Sequence, residues 1–263
     1  MEDRTKQKVL NNFKTNLKSL HKELGSNPEV FLEESSKVWE DFGHPSVYFH
    51  QQAIKESEVG NFLGVEHLKM IYAVLVAWGM HRMGDTNTKL VSFTKFIANF
   101  VDANGGYTEV GEKLHEYKES NLTLDKASPE TIEHIAKLMV SLKVSGSGSQ
   151  IVSASKTLHH ILPNLVPPID RAYSVKFMKT GPKFSKKGSP GMNNDEKWYA
   201  KTFIEEMQLF LTYDNYKNKT VIDEFLKRKG KYKRPSDEPN FVTSIPKILD
   251  NLIVFFVKSH TKE

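Results

Sequence analysis

Apolar residues recur at helical spacing along almost the whole chain, and no pair of alternating runs suggests two strands side by side. In residues 2–24, Val9, Leu10, Phe13, Leu17, Leu20 and Leu24 form an i, i+3, i+4, i+7 stripe on an otherwise charged segment. Asn27 and Pro28 suit a cap and a first helical position, which predicts a second helix through Trp39, broken at Gly43, His44 and Pro45. From Gly64 to His81 the chain is apolar on almost every face, the pattern of an enclosed helix, and Phe93 to Val101 continues the core up to Asn104, Gly105 and Gly106. Ser128 caps and Pro129 opens a helix to about Lys143, lined by Ile132, Ile135, Leu138, Met139 and Leu142. Another runs from about Gln150 to Leu162. Pro163, Pro167 and Pro168 punctuate the chain before a restart at Asp170, residues 179–194 read as a mobile basic loop, and helices follow at 195–213, 219–229 and 244–258. The expected fold class is all-α.

A length of 263 residues suits one large domain or two small ones packed together. The chain has no cysteine, which excludes disulfides, thiolate zinc sites, cysteine-ligated iron–sulfur clusters and cysteine nucleophiles. The longest apolar run, Met70 to Met80, is too short to span a bilayer, and the first residues lack an apolar signal core. The expected address is therefore cytoplasmic, with the nucleoid, or nuclear in a eukaryote. Net charge is +5, and its distribution is uneven: residues 1–140 carry −4, residues 191–263 carry +2, and residues 141–190 carry +7 with Asp170 as their sole acid. So one-sided a segment calls for a counter-ion, and a polyanion is the natural one.

The same segment holds the most informative motif. Val144, Ser145, Gly146, Ser147, Gly148 and Ser149 lie between two predicted helices as a tight Gly-x-Gly turn. The glycines allow positive φ and close approach of a backbone, while the second helix points free N–H groups and its positive dipole end outward, a place for phosphate. The turn follows a helix rather than a strand and lacks a third glycine, so it is not a dinucleotide fingerprint. Helix, Gly-x-Gly hairpin, helix and a Pro-rich turn ending in Asp170, 22 residues beyond Gly148, resemble the helix-hairpin-helix superfamily of DNA glycosylases. The run Pro168, Ile169, Asp170, Arg171, Ala172, Tyr173, Ser174, Val175 resembles the family segment that opens the next helix, and the likeness spans roughly residues 130–178. It departs from the family at the hairpin, where Val144-Ser145-Gly146 stands for Leu-Pro-Gly, and at Gln150, where bifunctional members carry a Schiff-base lysine. Glutamine forms no imine, and Lys156 lies more than one helical turn further on. The resemblance therefore implies a monofunctional glycosylase of two helical lobes that uses activated water and no cofactor, and the chain divides into three consecutive segments: an N-terminal helical lobe 1–125, a hairpin segment 126–190 with the catalytic Asp and the basic loop, and C-terminal helices 191–263 completing the globule.

In that reading Asp170 stabilises the sugar cation and activates water, with Gln150 at the second catalytic position, and the target base leaves the stack for an aromatic pocket. Trp78, Tyr72 and Tyr173, with Tyr48 and Trp39, are the aromatic candidates. The amides of Gly146, Ser147, Gly148 and Ser149 would hold a phosphate, and Lys143, Arg171, Lys176, Lys179, Lys183, Lys186 and Lys187 would add sequence-independent affinity for double-stranded DNA, bound by a monomer. Plainer readings stand beside these. Asp170 also suits an N-cap, the Ser/Gly turn a flexible loop, Trp78 a core position, and the basic runs 227–229 and 231–234 a solvated helix end, a nuclear signal or a DNA-backbone contact. His159 and His160 are neighbours on a helix pointing about 100° apart, which argues against a shared metal, and no metal is expected. His67 and His81 fit hydrogen-bonded structure. Other functions compatible with the chain are a non-catalytic helix-hairpin-helix DNA-binding module and a helical interaction protein with an acidic partner.

Overall fold

The computed structural model describes residues 3–37, 45–78, 80, 89–146, 150–181, 184, 195–212, 218–231 and 244–261. The described chain is all-helical, its helices being α1 (Asp3–Ser26), α2 (Pro28–Ser36), α3 (Pro45–Glu58), α4 (Val65–Ala77), α5 (Phe93–Ile97), α6 (Glu109–Glu119), α7 (Pro129–Ser141), α8 (Ile151–Ile161), α9 (Lys176–Lys179), α10 (Glu196–Thr212), α11 (Asn218–Lys231) and α12 (Ile245–Ser259). Extended pairing among the described residues is limited to the isolated bridges Leu90–Ser145, Val101–Tyr107 and Phe184–Thr261. No described helix is long and apolar enough to cross a membrane.

Two compact units form, and they do not follow the three consecutive segments expected from the sequence. A terminal unit joins Met1–Asp41 to Pro167–Glu263, and a central unit comprises Phe42–Val166. The cause is the apolar stripe of α1, which is buried against the C-terminal part of the chain: Phe13 meets Phe177 edge-on at 5.9 Å and stacks on Phe203 at 5.8 Å. Asn16, buried on the same helix, donates from Nδ2 to the carbonyls of Phe177 (2.6 Å) and Thr180 (2.8 Å). Helix α12 belongs to the same unit. It is buried on nearly all sides from Pro246 to Val257, and that burial includes an ion pair, Lys247 Nζ to Asp250 Oδ2 at 2.6 Å. Ser244 caps it, accepting from the Lys247 N–H at 3.3 Å.

In the central unit, α3, α4 and α8 pack together, α7 lies on α8 and α5 against α4. Leu68, Ile71, Val74 and Leu75 of α4 face inward, but Val65 and Ala77 are exposed, so the helix is less enclosed than its composition suggests. Two helices unread in the sequence, α3 and α6, complete the unit. Gly111 in α6 lies so close to the Phe100 carbonyl that an added Cβ would sit 2.2 Å from its oxygen, a contact glycine alone tolerates. Ser128 caps α7 as expected, accepting from Thr131 N–H at 3.2 Å. Asn27 occupies the cap position of α2, yet its side chain makes no cap bond. Trp39 and His81 lie outside the described residues.

Candidate functional site

The turn between α7 and α8 is latched inward over its first half. Val144 is fully buried, its carbonyl accepts from Val91 N–H at 3.0 Å, and Gly146 N–H donates to the Lys89 carbonyl at 2.8 Å. The expectation that the Gly146 amide faces outward to a phosphate is thereby corrected. The Gly146 amide is spent on Lys89 and is not a phosphate donor, because this stretch pairs with 89–91. Ser147, Gly148 and Ser149 lie outside the described residues. Gln150 closes the turn from inside: its Oε1 accepts from the N–H groups of Val144 (3.1 Å) and Ser145 (3.0 Å), and its Nε2 donates to the Ser145 carbonyl at 2.9 Å. The side chain is 3% exposed. Lysine carries no acceptor and could not make the first two bonds, so the amide here has a positive structural use. Exposed Lys143 is held through its backbone, with its N–H and carbonyl both bonded to the Asn99 amide (3.0 and 3.2 Å).

Asp170 belongs to the terminal unit and the hairpin to the central one. Pro167, Pro168 and Ile169 are buried and deliver Asp170, half-buried, to the start of a π-helical turn, Arg171–Val175, which runs into α9. Its Oδ1 accepts from Ala172 N–H at 2.7 Å, while its own N–H donates to Ser174 Oγ at 3.0 Å. This reciprocal cap fixes the carboxylate's direction. Arg171 is exposed, and Lys176 and Tyr173 are half-buried. Burial, and then the neighbouring Asp170 charge, push the Tyr173 hydroxyl pKa up. The Lys179 ammonium lies 5.2 Å above the Tyr199 ring, and burial lowers its pKa. Lys183, Lys186 and Lys187 lie outside the described residues.

Of the aromatic candidates, Tyr72 lines a groove of the central unit with Phe49, Lys69, Ala73, Val76, Ala77 and Phe93, about 440 Å³ in volume. Its hydroxyl donates to the Val91 carbonyl at 2.8 Å, and Val91 in turn holds Val144, so the groove and the base of the hairpin share one short segment. Trp78 is elsewhere employed. Lys156 Nζ sits 4.6 Å above its ring, and its edge meets His160 at 5.2 Å. Tyr48 is half exposed, at 52%.

The histidines depart most from expectation. The rings of His159 and His160 lie 5.4 Å apart, and His50 of α3, missed in the sequence, lies against both of them. All three are buried, and one nitrogen of each lies within 4.8 Å of the other two. His67 is structural, as expected: its Nδ1 accepts from Leu63 N–H at 3.0 Å, and burial lowers its pKa to about 4. No family model, curated protein or solved structure matches the chain.

Proposed function

We propose that the protein is a monofunctional DNA base-excision glycosylase, hydrolysing the N-glycosidic bond of a damaged or modified base, with Asp170 as the catalytic carboxylate. The observation that carries the reading is Asp170 itself. It is the sole acid in a segment of net charge +7, and it is held half-exposed and in a fixed direction by Ala172 N–H, beside exposed Arg171. As the glycosidic bond breaks, its electrons leave with the base and positive charge grows on the sugar. A fixed carboxylate stabilises that charge more in the transition state than in the ground state. Water then attacks the anomeric carbon and gives its proton to the carboxylate. The proposed partner is double-stranded DNA, bound by a monomer in the nucleoid or nucleus through Lys143, Arg171, Lys176 and the 183–187 lysines.

The cap geometry also favours a second reading, a non-catalytic helix-hairpin-helix DNA-binding module in which Asp170 only starts a helix. Asp170→Asn separates the two, since asparagine caps about as well as aspartate. In the catalytic reading, base release from a panel of modified-base duplexes, scored after alkali, falls at least roughly a hundredfold while DNA affinity holds or rises. Base release equal to wild type in the variant, or none in the wild type across the panel, sinks the glycosylase assignment. A covalent adduct trapped by borohydride would show an amine nucleophile and remove the monofunctional part of the reading.

A further inference from the structure

We propose that His50, His159 and His160 form a binding site for one divalent transition-metal ion of the zinc class in the core of the central unit. The three rings are 1%, 0% and 2% exposed, and they come from two packed helices, one from α3 and two from α8. His50 stacks on His159 at 5.8 Å and 14° and tilts against His160 at 4.7 Å and 59°, and the His159 and His160 rings are themselves 5.4 Å apart, so the three rings form one cluster. Neutral imidazole, with one lone-pair nitrogen per ring, is the form that ligates metal.

The hydrogen-bond pattern already orients two of the ligand directions. His159 Nδ1 is 2.8 Å from the Val166 carbonyl oxygen, which only accepts, so Nδ1 carries the hydrogen and Nε2 carries the lone pair. A backbone carbonyl holding the far nitrogen is the usual outer partner of a metal-bound histidine. His50 Nδ1 and His160 Nδ1 face one another at 2.7 Å, with one hydrogen between them. A bound ion takes the place of that hydrogen, and the donor ring carries it on Nε2 instead, so no net charge is required of the protein. Tetrahedral zinc with bonds of 2.0–2.1 Å sets neighbouring nitrogens about 3.3 Å apart, so this pair opens by about 0.6 Å on binding. Among the described residues no carboxylate joins the cluster. An all-imidazole donor set selects zinc, copper, nickel or cobalt over magnesium and calcium. Because the rings are buried, the ion has no route to a substrate, and it pins α3 against α8. This proposal is independent of the glycosylase reading.

The full-length chain, stripped with chelator and dialysed, is titrated with Zn²⁺ alone against a chromogenic chelator, and with Co²⁺ alone while the visible spectrum is recorded. One equivalent of Zn²⁺ per chain and an intense, tetrahedral-type Co²⁺ absorption are expected. His50→Gln and His159→Gln each weaken Zn²⁺ binding at least a hundredfold, whereas His115→Gln, outside the cluster, changes it less than twofold. The Co²⁺ spectrum of the unsubstituted chain decides the matter even where a variant fails to fold. Only the weak absorption of hydrated cobalt, no stoichiometric Zn²⁺ binding, or binding that survives loss of His50 overturns the site.

Discussion

A glutamine with both ends of its amide engaged is the most informative single residue in the hairpin. In the resemblance drawn from the sequence, Gln150 stands where a lysine is expected. In the structure it serves two N–H groups and one carbonyl of the turn. Gln150→Lys strips the acceptor from two buried donors and adds a buried charge, so the expected loss of stability is about 3 kcal/mol, read as a lower denaturation midpoint. A loss under about 0.5 kcal/mol would mean the turn is held by its pairing with 89–91 alone. His67 supplies a pH-dependent case. Its folded pKa of about 4 lies below the ordinary value near 6.5, so between those values the unfolded chain binds the extra proton. The stabilising contribution is full above about pH 6.5 and is lost as pH falls towards 4, up to roughly 3 kcal/mol. His67→Gln keeps an acceptor for Leu63 N–H and removes the titration, so its stability should fall less steeply over that range. Parallel pH curves for the two proteins would show that His67 does not carry the acid sensitivity. Ser128 was legible as a cap because a cap is local. Gln150's bonds were not, because they depend on a turn whose path is set by residues 89–91.

At the scale of elements, helices with an apolar stripe were legible to within a few residues, as for α7, read as 129–143 and found as Pro129–Ser141. Of those missed, α6 buries only Gly111, Leu114 and Tyr117, and α3 turns small or polar residues inward. His50, Ala53 and Ser57 are the buried positions described on α3, at i, i+3 and i+7 spacing but with little hydrophobic contrast. The same blindness hid the polar content of α12, which the sequence places at 244–258 while Lys247 and Asp250 are buried in it at 2% and 5% side-chain exposure. Removing one partner takes a charge-assisted contact from the other charge within a core. Asp250→Asn is therefore expected to cost about 3 kcal/mol or more, whereas Lys247→Met with Asp250→Leu should cost much less than the single change. Denaturant titration of the single and double variants checks the difference. A double variant as unstable as the single one would show that the pair's geometry, rather than its charge balance, holds the helix.

At the scale of the whole molecule, no sequence boundary announced that the first 41 residues belong with the last 97. Charge and proline content vary along the chain, but the assignment is made by side chains distant in sequence. Phe13 fits among Phe177 and Phe203, and the Asn16 amide reaches two carbonyls of the segment that follows Asp170. If the two units are also energetic units, damage to this bridge is confined to one of them. Asn16→Ala removes the donor to Phe177 and Thr180 and leaves buried carbonyl groups under-satisfied, a loss of about 2 kcal/mol. Hydrogen exchange then separates the possibilities. Amides of α9 and α12 should exchange roughly tenfold or more faster in the variant, about 1.4 kcal/mol per tenfold, while those of α4 and α8 keep their wild-type rates. Equal acceleration in α4 and α8 would show that the chain opens as one cooperative body. The division would then describe packing alone, and the segment carrying Asp170 would owe its order to both units rather than to the helix at the start of the chain.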